Sequence, residues 1–293
     1  MFVKFWGVRG SIPTPEHSSR IYGGNTSCVE VRTEDGLFIL DAGTGIRRLG
    51  ADLMGRGLKD LNINFLFSHP HWDHIQGFPF FTPAYIPGTT LNVYEAGSEH
   101  KIADLLSGQM SSGYFPVDFK DLGANVMAKQ LDESQQTIDG VTISYLKQVH
   151  PGGSFAYRLE AGGKKVVYAT DSEIDSHFHS SSVPFDVASN LAKFRPIPQR
   201  YLDFMVSADL LIADAQYLDE EYTVKVGWGH PRATTVVDMA IQAGVKRLAL
   251  FHHDPMESDD DVNRKLDLCR ARAQHHRCEI DIFAARELVE IKV

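Results

Sequence analysis

The chain has 293 residues, with 29 Lys and Arg against 38 Asp and Glu, giving a formal net charge of −9. Its 43% hydrophobic and 23% charged residues are an ordinary globular composition, which excludes disorder as the dominant state. The negative balance speaks against non-specific nucleic-acid binding, which needs a cationic surface to displace counterions, though not against a local basic groove.

Strand, loop and helix patterns alternate along the chain, which predicts a layered α/β architecture. Val3 to Trp6, Ser27 to Arg32 and Leu37 to Leu40 read as strands, the last leaving into the tight turn Asp41-Ala42-Gly43. Ile46 to Met54 has apolar residues at helical spacing. Ile63 to Phe67 is a strand that runs into Ser68-His69-Pro70-His71-Trp72-Asp73-His74. Phe78 to Gly123 reads as an insert holding the Ile102 to Leu106 helix; its aromatic residues form either an apolar lid for a nucleobase or ordinary core. Val141 to Val149, Lys165 to Ala169, Leu210 to Ala213 and Arg247 to Phe251 are further strands. Ser172 to Asp203, with His177, His179 and three serines, reads as an extended segment near the pocket or at a dimer contact. Ala233 to Ala243, closed by Gly244, and Asp259 to Arg272, opened by Ser258, are helices. The run Arg270 to Arg277 reads as a solvated face.

Cys28, Cys269 and Cys278 are odd in number and irregular in spacing, so no disulfide framework is expected. No leader-like opening and no long apolar stretch is visible, which predicts a cytoplasmic, non-membrane protein.

Six strands end in or beside a His or Asp: Asp41, His69, His150, Asp171, Asp214 and His252. Strand ends that share a rim are where α/β sheets build sites. Within His69-x-His71-x-Asp73-His74, residues two apart in an extended loop point the same way, so His69 and His71 can share one ion. Asp73 and His74, where a helix begins, can take a second. Imidazole and carboxylate donors without thiolate suit zinc, with manganese or iron as alternatives.

This ordered set resembles the metallo-β-lactamase fold superfamily. The resemblance covers nearly the whole chain and implies one four-layered αββα sandwich domain over residues 1–293, with a binuclear site at one edge between the sheets. It implies a first divalent metal ion on His69, His71 and His150, and a second on Asp73, His74 and His252. Asp171 would bridge them together with a water or hydroxide, and Asp41 would orient a ligand His. His252 is preferred over the adjacent His253 as last ligand, which leaves His253 outside the ligand set.

Asp214-Ala215-Gln216-Tyr217, followed by Gly229-His230, is similar to the phosphodiesterase branch, which includes tRNA 3′-processing ribonucleases and cyclic-nucleotide phosphodiesterases. There the carboxylate orients a His that contacts the phosphate or protonates the leaving alkoxide, a sound pairing because a carboxylate raises an imidazole's basicity. The implied catalytic residues are Asp73, His230 and Asp214. No Cys stands where zinc β-lactamases of the main class place one, which argues against lactam hydrolysis. Only 20 residues separate His150 from Asp171, too few for the long arm of the tRNA enzymes. With the acidic balance, this favours a small phosphodiester, preferably a cyclic nucleotide, over RNA. The segments from Phe5 to Pro13 and Tyr22 to Cys28 resemble a bacterial subgroup of the branch; Arg9 and Asn25 either face the site or stabilise their loops. The alternatives are a ribonuclease or single-strand nuclease, a thioesterase or lactonase, and a metal-bound nucleotide sensor. A homodimer is compatible with all of them.

Overall fold

The computed structural model describes residues 1–57, 60–97, 101–178 and 193–293. His179 and Ser180 to Ser182, within the second expected insert, lie outside the described residues.

Two seven-stranded mixed sheets are stacked face to face. The first holds β1 (Phe2–Gly7), β2 (Cys28–Arg32), β3 (Leu37–Leu40), β4 (Asn62–Leu66), β5 (Thr90–Glu95) and β6 (Asn125–Gln130) in chain order across the sheet. The second runs from β7 (Gln136–Ile138) through β8 (Val141–Gln148), β9 (Ser154–Ala161), β10 (Lys164–Ala169), β11 (Leu210–Asp214) and β12 (Arg247–Phe251) to β13 (Asp281–Ala284). The last strand, β14 (Glu290–Lys292), crosses back and pairs antiparallel with β1.

Strand alternation makes the layers. In β3, Phe38 and Leu40 enter the core between the sheets, whereas Ile39 points outward; in β12, Ala249 and Phe251 point in and Leu248 and Leu250 out. The outer face of the first sheet is covered by α1 (Ile46–Gly55), α2 (Trp72–Ile75) and α3 (Ile102–Gln109). The outer face of the second is covered by α4 (Gln199–Met205), α6 (Ala233–Gln242) and α7 (Asp259–His275), with α5 (Asp219–Lys225) lying before α6 in the chain. Three apolar layers between four structural layers make the αββα sandwich. Ser258 caps α7 in a reciprocal capping box with Asp261, and Gly244 follows α6 at φ 64°.

Two sequence expectations change. The stretch from Phe78 to Gly123 is not an insert: β5 lies inside it and continues the first sheet between β4 and β6. Phe78 and Phe81 are buried and pack edge-on to Phe65 at 6.1 and 5.7 Å, so the aromatic residues serve mainly as core. Only Phe80 and Tyr114 among them are largely exposed. The end of α7 is not a purely solvated face either. Arg272 is buried and reaches both carboxylate oxygens of Asp238 at 2.8 Å, and His276 stacks on Phe194 at 3.9 Å.

Candidate metal centre

The parallel strands of both sheets deliver their C-terminal ends to one rim. His69, His71, Asp73 and His74 follow β4, His150 follows β8, Asp171 follows β10, Asp214 ends β11 and His252 follows β12. Three of these turns bend sharply: Asp41, Asp171 and His252 have φ of 59°, 51° and 58°, in the left-handed region that L side chains avoid.

The side chains converge in two groups. Donor atoms of His69, His71 and His150 lie within 4.8 Å of one another, as do those of Asp73, His74, Asp171 and His252. Asp171 faces both groups. Its Oδ2 is 3.6 Å from His69 Nε2 and 3.7 Å from His150 Nε2, while its Oδ1 is 3.3 Å from both His74 Nε2 and His252 Nε2. Asp73 Oδ2 is 3.2 Å from His74 Nε2 and 3.1 Å from His252 Nε2, and accepts a hydrogen bond from the Ser11 backbone N–H at 2.7 Å.

The outer ring nitrogens fix the tautomers. His74 Nδ1 donates to Asp41 at 2.7 Å, His252 Nδ1 to the Gln216 amide oxygen at 3.0 Å, and His150 Nδ1 to the Gly229 carbonyl at 2.9 Å. His69 Nδ1 lies 3.1 Å from the Ser68 hydroxyl. Each Nε2 lone pair is thereby turned inward, as metal ligation requires. Asp41 is itself locked by Ser68 N–H, Ser68 Oγ and Tyr168 OH, each at 2.7 Å.

These residues fit divalent metal. His69 Nε2 is buried with no hydrogen-bond partner among the described residues, although it faces imidazoles and a carboxylate. Burial, then the nearby His74, pushes the His69 pKa well below the usual range; burial likewise lowers His71 and His150. Neutral imidazoles are the ligating form. At His74 burial acts downward, but Asp73, Asp171 and Asp41 together raise it well above the ordinary value. Burial opposes charge on Asp73 and Asp171, yet the surrounding imidazoles hold both carboxyls well below the usual range.

His230 stands beside this cluster. Its ring stacks on His252 at 5.0 Å, and its Nδ1 lies 2.7 Å from Asp214 Oδ2. Burial alone would lower its pKa; Asp214, with smaller help from Asp171 and Asp73, raises it to about 9, so the ring holds its proton at neutral pH.

Two glycines bring the walls close. A Cβ on Gly229 would meet His150 Nδ1 at 2.4 Å, and one on Gly10 would meet His252 Nδ1 at 2.5 Å. Glu173 holds the first wall by accepting from the N–H groups of Gly227 and Gly229 and from Tyr222 OH.

Other expectations settle differently. Arg9 is fully buried and donates to the carbonyls of Gly23, Asp254 and Glu257, so it ties loops together. Asn25 is held through its backbone and side-chain amides by Glu287. The loop-stabilising alternative therefore describes both. His253 turns away from the cluster and lies 2.9 Å from the Ala285 carbonyl. Sequence reasoning missed Ser68, Tyr168 and Gln216 as partners.

Residues 38–253 match the family described as the beta-lactamase superfamily domain. The chain belongs to that superfamily. It is a metal-dependent hydrolase, and several curated relatives carry the name ribonuclease Z. A ribonuclease Z of Picrophilus torridus is 23% identical over 99% of this chain and 95% of its own. A diphosphatase of the PhnP family superposes with a TM-score of 0.66 at 17% identity, covering 100% of this chain and 97% of that one. The short form of human tRNase Z superposes at 0.63 with 18% identity, covering 100% and 99%. The expectation that RNA is disfavoured is not borne out by these relatives. Among the described residues, no helix is long and apolar enough to cross a membrane.

Proposed function

We propose that residues 1–293 act as one unit that hydrolyses a nucleotide phosphodiester, with RNA cleaved near its 3′ end as the first reading. The observation that carries the chemistry is the buried His230–Asp214 pair set against the ligand cluster. In this reading His69, His71 and His150 hold one divalent ion, and Asp73, His74 and His252 hold a second. Asp171, which faces both groups, would serve both ions. Zinc suits the donor set best, with manganese or iron as alternatives. Bound ions would supply Lewis-acid activation of water and neutralise phosphoryl charge.

The chain's own residues do the rest. Asp73, held by the Ser11 N–H, orients the attacking water. His230, protonated and aligned through Nδ1 by Asp214, presents Nε2 to the phosphate or the departing alkoxide. A thioester or lactone would have little use for this pair.

The names of the relatives, which match almost end to end, support RNA. A second reading, a cyclic nucleotide, is supported by the hairpin between His150 and Asp171. There β9 and β10 are joined directly through Gly162 and Gly163, which leaves no room for a long substrate-binding arm.

The test is a panel hydrolysed by metal-loaded protein: a precursor RNA with a 3′ trailer, 3′,5′- and 2′,3′-cyclic nucleotides, and a lactone. Cleavage of the RNA that falls about 10²- to 10⁴-fold in His230→Ala, with metal content retained, is the expected result. Turnover of cyclic nucleotides alone selects the second reading. Lactone turnover indifferent to His230→Ala would sink both.

A further inference from the structure

The chain has three tryptophans. Trp6 is 2% exposed in the core, whereas Trp72 and Trp228 are 63% and 62% exposed. An exposed indole is a large, rigid surface on which a flat ring can stack. Among the described residues, no ring stacks on either, and neither indole N–H has an acceptor.

Their positions are related through the metal centre. Trp72 sits between His71 and Asp73 at the start of α2. Trp228 precedes Gly229, whose carbonyl accepts from His150 Nδ1. His150 Nε2 is in turn 3.1 Å from His71 Nδ1. A continuous run of neighbours therefore leads from Trp72 through His71, His150 and Gly229 to Trp228. His71 is exposed, while the other six proposed ligands are buried. Both tryptophans are thus exposed residues on loops that run beside His71, the exposed member of the set.

We infer that Trp72 and Trp228 are the surfaces on which nucleobases next to the scissile phosphate stack, and that they set a preference for nucleoside-bearing diesters. This rests on the phosphodiesterase reading above. Indole accepts the π-face of any base, so such a rim is tolerant of sequence. Stacking also needs no cationic surface, which suits a chain of net charge −9. The lid alternative for Phe78 to Gly123 thus gives way to two rings carried on the loops of the cluster.

The test uses two esters that release the same chromophore. Thymidine 5′-(p-nitrophenyl phosphate) carries a base; ethyl p-nitrophenyl phosphate does not. The kcat/KM ratio between them is measured for metal-loaded wild type, for Trp72→Ala with Trp228→Ala, and for the corresponding double Phe variant. Wild type should favour the thymidine ester. The double Ala variant should reduce that ratio about tenfold or more, chiefly through KM, and the double Phe variant should recover most of it. A wild type without the preference overturns the inference. So does a double Ala variant that keeps the wild-type ratio, including one that loses both esters equally, because the rings would then serve the fold or an interface. In both cases the phosphodiesterase reading survives. If metal-loaded wild type turns over neither ester, that reading falls and takes this inference with it.

Discussion

His69, His71 and His150 turn three imidazoles toward one point at the solvent edge, and their known outer supports are a hydroxyl and a backbone carbonyl. Across Asp171, the group of Asp73, His74 and His252 is buried, and its imidazoles are backed by the carboxylate of Asp41 and the amide of Gln216. The second group is therefore richer in negative charge and more tightly fixed. A carboxylate behind an imidazole strengthens it as a ligand, and a buried network loses little orientation when an ion arrives. The difference teaches that one cluster can combine a deep, anchored half with a half that solvent reaches at His71.

The comparison breaks first at the residue common to both halves. Asp171→Ala should remove metal from both, seen by elemental analysis, and lower diester turnover by more than about 10³-fold. Loss of metal from one half only would show that Asp171 does not bridge.

The two glycine walls allow each half to be damaged separately. Gly229→Ala forces a Cβ against His150 at a φ of 93°, and Gly10→Ala forces one against His252. Each should lower the melting temperature by several degrees, as overpacking at about 1–3 kcal/mol implies. The first should weaken the open half and the second the buried half, as read by metal titration.

Asp41→Asn keeps the shape and removes the charge. Affinity of the buried half should fall about 10- to 100-fold while the open half is unaffected. Equal weakening of both would show that Asp41 supports the rim as a whole.

The smallest expected effect is chemical. Cys28 is fully buried, and burial, then Glu30 and Asp41, pushes its thiol well up; burial pushes Cys269 up to about 12. Cys278 is partly exposed. A neutral alkylating agent should label about one thiol per native chain and three after denaturation. Rapid labelling of Cys28 in the folded protein would mean that the layer between the first sheet and its helices opens.

Much of this centre was legible in the sequence because its ligands obey local rules. Four of them lie within six residues, and the others sit where an apolar strand stops. The partners that orient them were not legible. Gln216 meets His252 across 36 residues because β11 and β12 pair side by side, and Tyr168 meets Asp41 across 127 because the two sheets stack. The fold was misread where hydrophobic pattern is ambiguous. The strand Thr90–Glu95 is mostly buried, and the aromatic residues around it look alike whether they line a lid or fill a core. Arg9 was ambiguous for a related reason: a buried guanidinium that satisfies loop carbonyls has the same sequence signature as one that awaits a phosphate.

The left-handed backbone at Asp41, Asp171 and His252 ties the shape of three strand ends to the contacts of three side chains. Each of these residues holds a conformation that glycine adopts with about 1–2 kcal/mol less strain. Glycine would nevertheless leave buried groups without partners, Ser68 and Tyr168 at Asp41 among them, which costs more than the strain it relieves. The strained turns are therefore held by the same contacts that arrange the cluster, and an exchange there loosens both at once.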